Sequence, residues 1–448
     1  MRFTILIVLP AAAYAAQLEV LTLPNWNRIP VGEISMVEGG AVVARVKGPA
    51  SVFLNPAGLG RLDFASVSGS FSALEYNRVG ARSNTQDAKA DHASLKPNLV
   101  GFATAWDDED PDGGGWGFAL ASPISWSSAL QVDTTSSTGS RHDDGRSSLE
   151  ALVPTFGFGM PLSESVAFGW SVEAWLVEYR LDTGSSAQDG TTLYTSTYTE
   201  NGRQLSLCLT GGLQWESANW NAGIHVRSPG ILLASQGEIS SASTTGDGTS
   251  TTLTSVRDHS AGFHMPLPWS VDLGLAWRPS SLPHFKIEAD LSIYGGGSTV
   301  SVFSAATGTT TTVTPGPTVT SSPYTIPERT FDPRFVINPK LGIAYQLENL
   351  WRDRIVTLHL GGYFDRSPVG SSDLFTRLNL IGGTTGVSLE KGHMHLTIGA
   401  AYITSSSLTD ALKYVTAPSS GLQPSLADPD TTFAVRSFIL GIGSSYRF

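Results

Sequence analysis

The sequence predicts an all-β protein, a 14-stranded antiparallel transmembrane β-barrel, and three observations predict it. Apolar and polar residues alternate with a period of two in segment after segment, the pattern of strands with two unlike faces. The connections between these segments alternate long and short down the chain. The last segment, FILGIGSSYRF, sets Phe438, Leu440, Ile442, Tyr446 and Phe448 on one face and finishes on an aromatic residue. Tilted strands of about ten residues, with short turns at one end and long loops at the other, are the marks of bacterial outer-membrane barrels.

In chain order, the first strand shows the pattern most plainly. Ser66, Ser68, Ser70 and Ser72 share one face, and Val67 and Phe71 share the other. The hydroxyl face is expected to look inward and the apolar face toward lipid. Strands are expected at 62–76, 97–106, 116–126, 148–160, 165–182, 202–215 and 220–229. Seven more are expected at 267–278, 284–295, 334–347, 353–365, 374–388, 392–403 and 434–448. In PWSVDLGLAWRP and HFKIEADLSIYG, Val271, Leu273, Leu275, Ile287 and Leu291 take the lipid face, with Leu440 and Ile442 of the last strand. Trp170, Trp269, Trp277 and Tyr446 lie near strand ends, as interfacial aromatic girdles require.

The long connections, 77–96, 127–147, 183–201, 230–266, 296–333 and 404–433, are expected to be irregular outer loops; several are low-complexity Ser/Thr text. The link at 366–373 is the one too short for its place in the alternation.

Composition narrows the class. Charged residues are only 15% of the chain, against 41% apolar, which is unlike a soluble surface. A mean hydropathy near zero excludes a bundle of membrane helices, and no window has the run of about 18 apolar residues that one such helix needs. A net charge of −11 argues against nucleic acid as a partner. The single cysteine, Cys208, excludes a disulfide framework. Arg2, the apolar run Phe3–Pro10 and Ala13-Tyr14-Ala15 read as a signal peptide over residues 1–15. A secreted β-sandwich array or β-helix is the soluble alternative, because alternation alone does not separate a core face from a lipid face.

The stretch GEISMVEGGAVVARVKGPASVFLNPAGLGRLD resembles the N-terminal hatch of the FadL-type long-chain fatty-acid transporter family, with Asn55-Pro56-Ala57 matching its motif just before the first strand. PNLVGFATAW followed by WGFALASPISW, and LPWSVDLGLAWRP followed by a charged-faced strand, extend the resemblance over the mature chain. It implies a hatch over residues 16–61 inside a barrel over residues 62–448, with Asn55, Pro56, Ala57 and Gly58 as the hatch motif. It also implies capture of a hydrophobic molecule between outer loops and its sideways exit through a gap at a kinked third strand. Pro123 falls in that strand and is the candidate for the gap, since proline withholds a ladder donor. The turn Asn55-Pro56-Ala57 is expected to lie beside Pro123.

Strand parity turns Asp272, Lys286, Glu288, Asp290, Lys340 and Arg377 into the lumen. Lys286 and Lys340 are the first candidates for a carboxylate head group; a paired ion network packing the lumen is the plainer account of the set. His393-x-His395 lacks an evident third metal ligand, and the acidic run DDEDPDGGG lacks ordered calcium-loop spacing. No Gly-x-Ser-x-Gly elbow, phosphate loop or cofactor motif occurs, so no enzyme, cofactor or metal is expected.

These readings lead to an outer-membrane transporter for passive uptake of hydrophobic molecules such as long-chain fatty acids. The alternative is a structural or secretion-accessory barrel of the same fold. An apolar pocket in the outer lumen would favour transport, and a filled lumen would favour the scaffold. The expected partners are the hydrophobic ligand, outer-membrane lipids and lipopolysaccharide, and the barrel-assembly machinery acting through Phe448.

Overall fold

The computed structural model describes residues 22–26, 28–82, 87–106, 113–135, 139–314, 318–351, 354–372, 374–405 and 432–448. The signal peptide, the first residues of the expected hatch, the acidic turn at 107–112 and most of the last long connection lie outside the described residues.

Six long strands open the barrel: β1 (Ser66–Arg82), β2 (Asp87–Ala105), β3 (Gly115–Thr135), β4 (Gly139–Pro161), β5 (Val166–Asp189) and β6 (Thr192–Glu216). Each pairs antiparallel with the next. The following staves are each made of two pieces. β7 (Trp220–Arg227) and β8 (Ile231–Gly246) run along successive parts of β6. β9 (Thr251–Ala261) and β10 (Ser270–Trp277) continue against β8 and β7. β11 (Phe285–Tyr294) pairs β10, while β13 (Ala306–Thr314) pairs β9. β14 (Thr318–Ile326) pairs β13, and β16 (Val336–Trp351) pairs β11. Four single strands, β17 (Arg354–Asp365), β19 (Leu380–Lys391), β20 (Met394–Ser405) and β21 (Thr432–Arg447), close the sheet onto β1. The result is a closed barrel of 14 antiparallel staves.

Alternation is the local cause of each stave. Along β4 every second residue is buried over nearly its whole length. Ser66, Ser68, Ser70 and Ser72 are buried, while Val67 and Phe71 are exposed. Leu273, Leu275, Leu440 and Ile442 are exposed as well. Val271, Ile287 and Leu291 are half-buried on the same outer surface. Trp106, Trp215, Trp220, Trp277 and Tyr446 are exposed near the short-turn end, where Trp220 and Trp277 stack at 5.9 Å.

Two sequence expectations need correction. The stretches 77–96, 127–147, 183–201, 230–266 and 296–333 are largely strand, continuing the wall well beyond the apolar belt. The polarity of Ser/Thr text reads as loop, yet threonine is β-branched and suits a pleated surface. Here it also bonds across strands, Thr252 to Thr312 at 3.3 Å and Thr254 to Thr310 at 3.1 Å. The twelfth stave starts at Leu380, not at residue 374, because 366–379 turn inward. Together with two neighbouring links they build a small sheet of β12 (Val300–Phe303), β15 (Arg329–Pro333) and β18 (Val369–Ser372). Val302, Phe303, Phe331 and Val369 are buried there, with Phe263 5.0 Å and Tyr179 5.7 Å from Phe303. The lumen toward the long-strand end is therefore packed with apolar side chains.

At the other end, residues 22–26 and 28–62 lie across the lumen as a compact leader. Facing it, from β2 round to β21, the wall residue is repeatedly glycine: Gly101, Gly117, Gly157, Gly169, Gly212, Gly223, Gly274, Gly342, Gly361, Gly386, Gly399 and Gly441. A Cβ at Gly361 would stand 2.2 Å from the Gly39 nitrogen, and one at Gly223 2.3 Å from the Val43 carbonyl oxygen. Backbone cannot retreat as a side-chain tip can, so these approaches exist only because the side chains are missing.

β19 holds a matched test. A Cβ at Gly386 would sit 2.4 Å from Val37, whereas one at Gly383 meets nothing within 4 Å. Gly386→Val is expected to destabilise the folded barrel by about 1–3 kcal/mol through overpacking, and Gly383→Val to leave it unchanged. Urea titration of the heat-modifiable folded band measures both.

Candidate functional site

Charged side chains of the wall hold the leader. Asp290 Oδ2 accepts the backbone N–H of Val42 at 2.8 Å and of Val43 at 3.0 Å, and Glu288 Oε1 accepts that of Ala44 at 2.8 Å. Arg45 bridges Glu288 and the leader's own Glu38. His359 Nδ1 lies 2.8 Å from Glu38 and its Nε2 2.8 Å from Ser388. Half-buried Lys286 belongs to the same region, one inward place before Glu288 on β11. Burying this many charges is tolerable because each carboxylate named has a cation or several N–H donors.

The Asn55-Pro56-Ala57 turn is a second anchor. Asn55 Oδ1 accepts the Ala57 N–H at 3.2 Å, and its Nδ2 donates to Val43 O at 2.9 Å and Leu213 O at 3.3 Å. Pro56 then starts a 3-10 helix, Pro56–Arg61, in which Ala57 and Gly58 are fully enclosed. The turn packs on Gly169 of β5 and Gly212 of β6. Its expected place beside Pro123 is thus corrected; Phe53 and Leu54, just before it, are the residues that reach Pro123 across a shared cavity.

At Pro123 the wall itself changes. β2 and β3 pair from Ala105/Gly115 up to Leu99/Ala121 and no farther. The next alternate rung would set Pro97 opposite Pro123, and neither has an N–H to give. β3 also slips register against β4 between Ala121 and Ile124. The leader covers the interrupted seam. Asn98 donates to Pro30 O at 3.0 Å and accepts from Gly32 N at 2.9 Å. Arg28 donates to Ser125 O from Nε at 3.2 Å and from Nη2 at 2.5 Å, pairs with buried Glu75, and lies 5.2 Å over Trp126.

A cavity of about 60 Å³ lies between leader and wall at this level. Trp26, Ile29, Val31, Phe53, Trp175 and Pro123 give it an apolar side. Arg227, His225, Asp272 and Lys340 give it a polar one. Arg227 is bound to Glu173 at 2.8 Å, and His225 faces Asp272 at 3.1 Å. Lys340 makes no salt bridge within 4 Å among the described residues; it stands across from Asp290 in the β11–β16 pair, and its charge is felt by both Asp272 and Asp290.

The structure thus brings Pro123, Asp272 and Lys340 to one cavity, and places Lys286, Glu288 and Asp290 at the leader's seat. Arg377 belongs to neither. It is exposed in the segment before β19, at the long-strand rim, because that stave starts six residues later than the alternation indicated.

No protein-family model matches the chain, and no curated protein matches it by sequence. Solved structures do match. A Pseudomonas aeruginosa FadL homologue aligns at 12% identity and TM-score 0.57 over 97% of this chain and 100% of its own. The Pseudomonas putida toluene transporter TodX aligns at 14% identity and TM-score 0.59 over 94% and 99%. The Ralstonia pickettii toluene transporter TbuX aligns at 14% identity and TM-score 0.55, also over 94% and 99%. The fold is that of the FadL-type barrels.

Within this FadL-type fold, sequence reasoning missed Arg28, Glu75 and Asn98. Glu75 follows a register shift between Ser72 and Leu74 that reverses the facing of β1, so simple alternation assigns it to the wrong side. Pro97 was the usable signal: a second proline, at the first residue of the expected strand 97–106 and at the rung opposite Pro123.

Removing Arg28 tests the seam. Arg28→Met leaves Glu75, 1% exposed, without its cation, and is expected to cost about 3–5 kcal/mol. Adding Glu75→Gln should recover part of that loss. Denaturant unfolding followed by tryptophan fluorescence gives both values, and equal stability of single and double variants would contradict the coupling.

Proposed function

We propose that this protein is a bacterial outer-membrane channel for the passive uptake of small hydrophobic molecules, with long-chain fatty acids the favoured class. The observation that carries the proposal is the meeting of an interrupted β2–β3 seam with an amphiphilic cavity at Pro123. On this reading the leader is a hatch that closes the short-turn, periplasmic end. A molecule admitted from the long-strand end rests its apolar body against Trp26, Phe53 and Trp175, sets an anionic head on Lys340, and leaves sideways past Pro123. The solved neighbours support it: they include toluene transporters and a monoaromatic hydrocarbon channel.

Size decides what must move. A cavity of about 60 Å³ is well under the ~150 Å³ that holds one benzene, so the leader or the inner sheet shifts when a ligand is admitted. The packed outer lumen favours the second reading, a non-transporting scaffold of the same fold.

Uptake of radiolabelled long-chain fatty acid by cells carrying the protein separates the two. Transport above that of cells lacking it is expected, and Pro123→Trp should abolish the difference while the heat-modifiable band persists. No uptake by the wild-type barrel would support the scaffold instead. Lys340→Met is expected to weaken fatty-acid binding by about tenfold, the share of one charge-assisted hydrogen bond, and to leave uptake of neutral toluene unchanged.

A further inference from the structure

The outer surface of β1, β21, β19 and β17 ends, at the long-strand side, in arginine. The last lipid-facing rungs carry exposed Leu440 and Phe438 on β21, Ile381 on β19 and Phe364 on β17. Phe364 pairs with Ile381, Ile381 with Thr404, and Thr404 with Arg436, so these residues lie on one rung that runs obliquely across the tilted staves. Arg436 in turn faces Arg78 directly across the β1–β21 pair, and both are exposed. Arg78 has Asp91 of β2 across from it on its other side, whereas the two cross-strand neighbours of Arg436 are Thr404 and Arg78.

The arc continues past Phe364. Arg366, just beyond the end of β17, is exposed, as is Arg377 just before β19. Arg334 joins them, fixed by bonds from Nε to Ser367 O at 2.8 Å and from Nη2 to Asn379 Oδ1 at 3.2 Å. Asn379 also takes the Ser367 N–H at 3.0 Å, and Asn338 takes that of Arg366 at 3.0 Å, so the backbone under the cluster is held. Burial, and then the positive fields of Arg377 and Arg366, depress the proton affinity of Arg334. None of Arg334, Arg366, Arg377 and Arg436 has an ion pair among the described residues. Exposed Phe335 stands beside the cluster on the lipid side.

We propose that Arg436, Arg366, Arg377 and Arg334 form a binding arc for the phosphate groups of a phosphorylated glycolipid in the outer leaflet. A guanidinium offers paired N–H donors that match a phosphate's oxygens, and phosphate lies at the depth where an apolar belt gives way to head groups. Acyl chains of the same molecule lie along Phe364, Ile381 and Phe438. The proposal rests on the outer-membrane placement above, but it concerns the lipid-facing wall and not the transport cavity.

Native mass spectrometry of the full chain in mild detergent tests it, with bisphosphorylated lipid A as the probe and its dephosphorylated form as the control. Arg366→Gln, Arg377→Gln and Arg436→Gln are combined, because these three are exposed and Arg334 already has side-chain bonds to keep. The wild type should bind the bisphosphorylated lipid at least about tenfold more tightly than the triple variant, given one or more lost charge-assisted bonds. It should also prefer it to the dephosphorylated form. Equal binding by wild type and variant, or no preference for phosphate, would overturn the proposal. Competition by oleate would reassign the arc to carboxylate capture, and binding of inorganic phosphate without the lipid would reduce it to an ion site; either result overturns it too. A heat-modifiable band in the outer-membrane fraction reports barrel assembly separately, so failure of the arc is not confused with failure of the membrane placement.

Discussion

Close packing of the leader's backbone on a wall lined with glycine is the constraint on which the rest of the structure depends. A side chain at Gly361 or Gly223 would collide with leader backbone that has nowhere to go. Because those side chains are absent, Asp290 and Glu288 come near enough to take the N–H groups of Val42, Val43 and Ala44, and Arg45 is drawn between Glu288 and Glu38. Steric fit and buried charge thus specify one seat. Either alone would leave the leader free to slide or tilt.

From that seat the remaining features follow by geometry. The seated leader occupies the axis at the short-turn end, so a solute has no straight way through. It also delivers Arg28, Pro30 and Gly32 to the single place where β2 and β3 part, where their bonds to Ser125 and Asn98 engage wall groups along the interrupted ladder. The cavity left between leader and wall inherits a mixed lining, aromatic from Trp26 and Trp175 and cationic from Lys340. Flexibility needed for transport would then come from apolar contacts that can part and re-form, such as those between Phe53, Trp175 and the inner sheet, while the charged seat stays fixed.

Much of this was legible in the sequence, for identifiable reasons. Alternation marked all the staves because lipid outside and polar groups inside impose opposite demands on neighbouring residues. Parity correctly turned Asp272, Glu288, Asp290 and Lys340 inward, since β10, β11 and β16 are regular there. It failed at Glu75, beyond a register shift, and at Arg377, on a segment that leaves the wall. The outer strands were misread as loops because only polarity was weighed, and above the lipid a strand needs no apolar face. Which wall residue each part of the leader meets was beyond reach, because that depends on distances between segments hundreds of residues apart, as from Tyr363 to Arg28.

The central claim is that the seated leader closes the axis and sends a hydrophobic solute out through the β2–β3 seam. Photocrosslinking with a diazirine-bearing long-chain fatty acid, followed by peptide mapping of the labelled sites, tests it most directly. The account predicts label on residues 29–31, 97–99 and 121–124, together with the cavity wall near Lys340. Label concentrated instead around Lys47, Arg61 and Glu216, which meet at the short-turn face of the leader, would mean that the solute passes along the axis and would contradict it.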